Sequence, residues 1–392
     1  SSKAMLKDKR LPKPSRALIQ NVKWNSSFLQ IPGLFLHIQR NRDLTHRGNR
    51  HEGKKLRKLF GATDDFYPLK WSILDINLAS DLRGREMAMF STWSNFYTEL
   101  WKAIVRPPRD TYSLEDLGPT CFQLQGGRTY QRTDLVLNNA RGQKLACSHF
   151  EPIAAERVAR ELPCVIYLHG NCSSRLEALA TFESILPSNI SLFCFDFSGS
   201  GLSDGTYLSL GHFERDDLET VITHLRASGG VSCIGLWGRS MGASTALLHA
   251  DRDPSIAGLV LDSPFTDLKK LCEELVNKYT NSQVPSFLVR LLLEMVRSSI
   301  SHNADFDIFE VSPKEHAPSG FAPTLFAAAR NDTFVKPSHA QELHKLYGGQ
   351  SEFLMIDGDH NSPRSRFFMD SVAIFFFNVL QCEKLTQMAS KD

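Results

Sequence analysis

Residues 234–250, IGLWGRSMGASTALLHA, run from an apolar stretch through a serine between two glycines into a segment of helical character. Ser240 stands at the centre of the pattern G-x-S-x-G, with Gly238 and Gly242 two residues away on either side. This pattern is typical of a sharp turn between a strand and a helix, which lifts the serine hydroxyl above the sheet. Glycines are needed because side chains there would collide with the neighbouring strand and helix. The stretch therefore predicts a nucleophilic serine.

A second match to the same pattern lies at residues 201–205 and serves as an internal comparison. Its context, FDFSGSGLSDGTY, is rich in glycine and is not followed directly by a helical pattern. Such a composition indicates a loop rather than a strand-to-helix turn. Ser203 is therefore not expected to be a nucleophile.

Short apolar runs follow one another from about residue 121 onward, and most of them precede a segment with helical features. The runs are CVIYLHG, SLFCFDF, SCIGLWG, IAGLVLDSP, PTLFAAA and EFLMIDG. They predict strands buried on both faces, and their alternation with helices predicts a parallel sheet with right-handed crossovers. Ahead of them, TYQRTDLVLNNARGQKLACSHFEP predicts two antiparallel strands that turn at residues 138–142. Helical periodicity at residues 265–318, between two strands, predicts a helical cap.

Three more side chains stand at predicted strand ends, where functional residues gather in an open parallel sheet. His360 follows the last strand and is expected to accept the proton of Ser240. Asp332 follows the preceding strand and is expected to orient the imidazole, with Asp262 as the second choice for this acid. The order Ser…Asp…His along the chain is the one expected for such an architecture.

An oxyanion hole requires two backbone N–H donors beside the nucleophile. One is expected at Met241, directly after Ser240, and the other at Asn171, in the loop after the strand CVIYLHGN. Cys172 is the alternative to Asn171. His169, in the same stretch, is expected to be a structural residue.

Five stretches together resemble the α/β-hydrolase superfamily, and within it the serine aminopeptidase-like branch: CVIYLHGN, FDFSGSGLSDG, LWGRSMGA, SIAGLVLDSPFTDL and GDHNSPRS. The resemblance covers residues from about 105 to 380. It implies an α/β-hydrolase fold, with a mostly parallel central sheet, helices on both faces and a helical cap insertion. It also implies a triad of Ser240, Asp332 and His360 with oxyanion donors at Asn171 and Met241. It does not identify a substrate, because the branch includes peptidases, lipases and acyl-protein thioesterases.

We therefore expect a serine hydrolase that acts on an ester or a thioester, of a small molecule or an acylated protein, without a metal or cofactor. The predicted cap is rich in Leu, Val and Phe, which favours an apolar acyl or lipid group, although the same residues are also expected in a cap that only packs on the core. A peptide substrate is less favoured, because no acidic cluster is placed to bind a free amine. The alternative is a scaffold that uses this fold for binding, with little or no catalysis.

Charge is unevenly distributed along the chain. Residues 1–70 carry 16 lysines and arginines against 5 aspartates and glutamates, whereas the other 322 residues carry 29 against 38. We expect a basic extension at residues 1–60, a helical segment packed on the core at 61–120, the hydrolase domain at 121–384 and a tail at 385–392. The extension is interpreted as a solvated arm, a contact for an acidic partner or membrane surface, or the remnant of a transit peptide. Aromatic residues do not interleave with its basic ones, so nucleic acid is not predicted.

The amino-acid composition indicates the class of protein and its cellular compartment. Hydrophobic residues make up 42% of the chain and charged residues 22%, as in an ordinary globular protein. No apolar run approaches the roughly 20 residues of a membrane helix. The eight cysteines show no metal-ligand spacing and are expected to be free thiols in a reducing compartment, most of them serving as small buried apolar residues. A cytoplasmic location is therefore expected, with peripheral membrane association and mitochondrial import as alternatives.

Overall fold

The computed structural model describes residues 97–279 and 284–389 of the 392-residue chain. The predicted basic extension at 1–60 and most of the predicted helical segment at 61–120 lie outside these residues. Residues 97–105 are helical, and their side chains Trp101 and Val105 are buried in the main hydrophobic core. The described end of that segment therefore packs on the core.

Strands and helices alternate through the described ranges. The strands are β1 (Cys121–Gln123), β2 (Thr129–Asn138), β3 (Lys144–Pro152), β4 (Leu162–Leu168), β5 (Ser191–Phe195), β6 (Val231–Arg239), β7 (Gly258–Asp262), β8 (Thr324–Ala329) and β9 (Ser351–Ile356). The helices are α1 (97–105), α2 (Phe182–Ile185), α3 (Glu214–Ala227), α4 (Met241–Ala250), α5 (Leu268–Tyr279), α6 (Ser286–Ala304), α7 (Pro313–His316), α8 (Pro337–Leu346), α9 (Arg366–Val379) and α10 (Cys382–Ala389). Helix α10 passes through residue 385, where the sequence predicted the start of a tail.

All nine strands form one sheet, in the order β1-β2-β3-β5-β4-β6-β7-β8-β9. The first three strands and β5 pair in antiparallel fashion, and every pair from β5 to β9 is parallel. Strands β2 and β3 pair in register from Tyr130–Pro152 to Asn138–Lys144, so the turn lies where the sequence predicted it. The mostly parallel sheet of the α/β-hydrolase fold is confirmed.

Alternate side chains of the central strands enter two separate hydrophobic cores, one on each face of the sheet. In β4, Ile166 and Leu168 belong to one core, and Val165 and Tyr167 to the other. Helices α3, α4 and α6 contribute to the first core, and α2 and α9 to the second. Because every second residue faces the same side of a strand, the continuous apolar runs supply both cores at once.

The insertion predicted at residues 265–318 contains α5 and α6, between β7 and β8. Helix α6 buries Val289, Leu293, Val296 and Ile300, a helical spacing that turns one face onto the core. The C-terminal end of α5 reaches the loop after β8, where Lys278 Nζ donates to the hydroxyl and the carbonyl of Thr333. Helix α5 of the insertion therefore ends beside a loop at the carboxyl edge of the sheet.

The described residues include all eight cysteines, and each is a free thiol. Five of them are buried, which agrees with the prediction that most serve as small apolar residues. In the part of the chain that the structure describes, no helix has both the length and the hydropathy that would let it cross a membrane.

Candidate active site

Ser240 occupies the turn between β6 and α4. Its φ is 52° and its ψ is −115°, a conformation that a residue with a side chain rarely adopts. A Cβ atom on Gly242 would collide with the Leu168 carbonyl, and one on Gly238 would collide with the backbone of Gly242. The glycines at these positions therefore allow the tight turn that lifts the serine hydroxyl above the sheet.

His360 lies within hydrogen-bond distance of both Ser240 and Asp332. Its Nε2 is 2.9 Å from Ser240 Oγ, and its Nδ1 is 2.6 Å from Asp332 Oδ2. The three residues come from the ends of β6, β8 and β9, which are neighbours or near neighbours in the sheet. The structure thus brings together the three side chains that the sequence selected, although 120 residues separate the serine from the histidine.

Nearby backbone N–H groups hold the carboxylate of Asp332 in place. Its Oδ1 accepts hydrogen bonds from the N–H groups of Phe334 and Val335, both at 2.9 Å, and the residue is only 4% exposed. This arrangement leaves Oδ2 to face His360. The ring of Phe334 lies 5.1 Å from the ring of His360, so it covers one side of the imidazole.

The predicted oxyanion loop lies against the serine. A Cβ atom on Gly170 would be 3.8 Å from Ser240 Cβ, in ordinary contact. Among the described residues, no hydrogen bond occupies the N–H of Asn171 or of Met241. The N–H of Cys172 donates to Asn171 Oδ1 at 3.0 Å, so this alternative donor is already engaged. The geometry therefore favours Asn171 over Cys172.

Asp262, the second choice for the acid, has a different partner. Its carboxylate receives two hydrogen bonds from the guanidinium of Arg364, at 2.6 and 2.9 Å. Burial would raise the pKa of this carboxyl, but the charges of Arg364 and Arg239 outweigh burial and hold the pKa below its ordinary value. The contact to His360 Nδ1 belongs to Asp332, so Asp262 lies outside this chain of side chains.

The two remaining sequence candidates are structural. Ser203 is buried, accepts the N–H of Ala146 and donates to the carbonyl of Asp196. His169 is fully buried and accepts the N–H of Phe197 at Nε2. Ser203 thus links β3 to the loop after β5, and His169 links the loop after β4 to that same loop.

Sequence reasoning missed a group of charged side chains around the site. Arg239 donates to Glu177 Oε1 at 2.8 Å and to the carbonyl of His360 at 2.9 Å, and Arg364 donates to several carbonyls of the same loop. The available signal was the arginine directly before Ser240 in WGRSMG. Within the described ranges, no group of three or more His, Cys, Asp or Glu side chains is placed to hold a metal ion.

Comparison with known proteins places the fold. Residues 160–315 match the family described as serine aminopeptidase, S33. The uncharacterized protein YqkD of Bacillus subtilis is 26% identical over 235 residues, which cover 59% of this chain and 73% of that protein. The mouse sn-1-specific diacylglycerol lipase ABHD11 is 25% identical over 261 residues, which cover 55% of this chain and 81% of that protein. A solved esterase from Pyrococcus furiosus superposes with a TM-score of 0.51 at 22% identity, covering 71% of this chain and 98% of that one.

Proposed function

Because the chain belongs to the α/β-hydrolase superfamily, we propose that it is a serine hydrolase that cleaves a carboxylic ester or thioester through an acyl-enzyme. The observation that carries this proposal is the unbroken series of hydrogen bonds from Ser240 Oγ through the His360 ring to Asp332. In this series Asp332 orients the imidazole of His360, and His360 accepts the proton of Ser240.

In the first step, Ser240 Oγ attacks the carbonyl carbon of the substrate and its proton passes to His360 Nε2. The imidazole is positioned for this transfer when Nδ1 carries a hydrogen, which it donates to Asp332. The buried carboxylate then stabilises the imidazolium that forms. The N–H groups of Asn171 and Met241 are free to donate to the oxyanion, and Met241 also begins α4, whose N-terminus favours negative charge.

In the second step, His360 returns the proton to the leaving alkoxide or thiolate as the carbon–oxygen or carbon–sulfur bond breaks. The acyl group stays on Ser240. A water molecule then attacks the carbonyl carbon of the acyl-enzyme, with His360 again accepting the proton. His360 passes this proton to Ser240 Oγ as the Oγ–acyl bond breaks, which releases the carboxylic acid and restores the free serine. This sequence needs no metal or organic cofactor.

We propose an apolar acyl or lipid group as the substrate moiety. One relative, from mouse, is a diacylglycerol lipase. The insertion between β7 and β8 adds to this, because its helix α5 ends at the loop that carries Asp332 and its helix α6 exposes Phe287, Leu288 and Leu291. An exposed apolar surface on the insertion suits an acyl chain better than a charged peptide.

Labelling with a fluorophosphonate probe tests the proposal. We expect the wild-type chain and Ser203→Ala to be labelled and to hydrolyse p-nitrophenyl esters, and Ser240→Ala to lose both properties. A folded wild-type chain that is neither labelled nor active, also with added phospholipid vesicles, would overturn the proposal. Comparison of p-nitrophenyl acetate, butyrate and octanoate, and of matching acyl thioesters, then tests the acyl preference; a value of kcat/KM that falls with chain length contradicts it.

A further inference from the structure

We propose that Arg239 and Glu177 are positioning residues that hold the oxyanion loop and the histidine loop at a set distance from Ser240. This inference rests on the proposed function, because a positioning role has meaning only if Ser240 and His360 react. It concerns a second set of contacts, separate from the three side chains described above. We call the pair Arg239 and Glu177 the brace.

Each carboxylate oxygen of Glu177 accepts a hydrogen bond from a different donor. Oε2 accepts the N–H of Gly170 at 2.8 Å, and Oε1 accepts from Arg239 at 2.8 Å. Gly170 directly precedes Asn171, the proposed oxyanion donor, and lies against Ser240. Glu177 therefore connects the oxyanion loop to the residue just before the nucleophile.

The guanidinium of Arg239 continues the connection to the other side of the site. Its second terminal nitrogen donates to the carbonyl of His360 at 2.9 Å. One rigid, planar group thus binds Glu177 on one side and the backbone of the proposed base on the other. A continuous path of hydrogen bonds around Ser240 thus runs from the N–H of Gly170 through the brace to the carbonyl of His360.

The two side chains of the brace are mostly buried, which restricts their movement. The side chains of Arg239 and Glu177 are 19% and 16% exposed. Burial would lower the pKa of Arg239, but the charge of Glu177, followed by that of Asp262, outweighs burial and raises this pKa. Arg239 therefore stays charged, and charge-assisted hydrogen bonds of this kind hold their partners more strongly than neutral ones.

The brace can be altered without releasing the whole histidine loop. Arg364 independently donates to the carbonyls of Asp359 and Ser362 and is anchored on Asp262. A change at Arg239 should consequently leave the loop folded while allowing His360 and the oxyanion loop to shift by a fraction of an ångström. Misplacement by about 1 Å can cost about 100-fold in rate.

The test compares Arg239→Gln, Glu177→Gln, the double variant and Arg239→Lys, in the full chain, on p-nitrophenyl butyrate. Matched controls are Arg330→Gln, whose arginine is exposed at the exit of β8, and Glu183→Gln, whose glutamate is exposed on α2. We expect each brace variant to lower kcat by about 10- to 100-fold, with KM within about threefold of wild type. The double variant should lose no more than the worse single variant, because both residues act in one path. Lysine should not restore the rate, since one ammonium cannot reproduce the planar fork.

Several results would overturn the inference. These are brace variants whose kcat equals that of the controls, losses that multiply in the double variant, or recovery of the rate by Arg239→Lys. If the glutamine variants fail to show a cooperative thermal transition, Arg239→Lys, which keeps the charge beside Glu177, decides the question alone. The wild-type chain separates the two proposals: without turnover that depends on Ser240, both fail, whereas with such turnover and unaffected brace variants only this inference fails.

Discussion

The backbone carbonyl of Asp262 accepts the N–H of Ser240 at 2.7 Å, while the carboxylate of the same residue faces away to Arg364. Asp262 thus supports the turn that carries the serine, through its main chain, and anchors the histidine loop, through its side chain. Asp262 stands at a strand end, where a catalytic acid would be expected, but it serves as a structural link between the two loops. Its role and that of Asp332 are separable by experiment.

Asp332→Asn is expected to lower kcat for a p-nitrophenyl ester by about 10³- to 10⁴-fold with little change in thermal stability, because the amide cannot stabilise the imidazolium. Asp262→Asn is expected to act mainly on stability, with a loss of about 3–5 kcal/mol in the free energy of unfolding, because it leaves buried Arg364 without its charged partner. Steady-state kinetics and urea unfolding measure the two effects. A stable Asp262→Asn protein that is as inactive as Asp332→Asn would contradict the assignment.

Gly242→Ala is expected to prevent stable folding or to distort the serine turn so that probe labelling is lost. Its Cβ would meet the carbonyl oxygen of Leu168, which belongs to the sheet and cannot move aside. Gly230→Ala is the control, because its Cβ would have only ordinary contacts. Thermal unfolding and labelling should separate the two variants clearly. A Gly242→Ala protein with wild-type stability and labelling would show that the turn tolerates a side chain.

Ser203→Ala is expected to keep esterase activity but to lose about 1–3 kcal/mol of stability, since it leaves the N–H of Ala146 and the carbonyl of Asp196 without a buried partner. Ser232→Ala, at an exposed position of β6, should change stability by less than about 0.5 kcal/mol. Chemical denaturation of both variants measures the difference. Equal stability of the two variants would contradict the structural role of Ser203.

Stability is expected to fall as pH decreases from about 6.5 to 4. Burial lowers the pKa of His149 to about 4 and also lowers the pKa of His249 and of His339. Below the ordinary histidine pKa of about 6.5 the unfolded chain binds protons that the folded chain does not, so the folded state loses its advantage until the folded pKa is reached. For His149 this amounts to roughly 3 kcal/mol by pH 4.

Urea unfolding at a series of pH values tests this prediction. His149→Leu should show a shallower decline between pH 6.5 and 4 than wild type, because it removes one proton-binding difference. His302→Gln, at an exposed position on α6, should follow the wild-type curve. A His149→Leu curve with the full wild-type slope would mean that another group carries the pH dependence.

The sheet and the positions of Ser240, Asp332 and His360 could be predicted from the sequence because both depend on local patterns. Buried parallel strands are continuous apolar runs, and chemically active side chains in this architecture directly follow them. The same local reasoning separated Ser240 from Ser203, because only the former is followed by a helix. The long helices α5 and α6 of the insertion were predicted from their periodicity.

The charged pairs around the site could not be predicted, because they join residues that are far apart in the chain. Arg239 and Glu177 are 62 residues apart, and Arg364 and Asp262 are 102 apart. Any carboxylate at the end of a strand looks the same in sequence, whether it meets a histidine or an arginine. The sequence ranked Asp332 ahead of Asp262, but only the tertiary structure shows that Asp262 meets Arg364 and Asp332 meets His360.

The backbone of Ser240 has a consequence for how the protein can change over evolutionary time. A conformation of this kind costs about 1–3 kcal/mol relative to a relaxed residue, and glycine would adopt it with less strain. Substitution by glycine is therefore a mutation that would make the protein more stable while removing its proposed nucleophile. Stability and the proposed activity would therefore favour different residues at this one position.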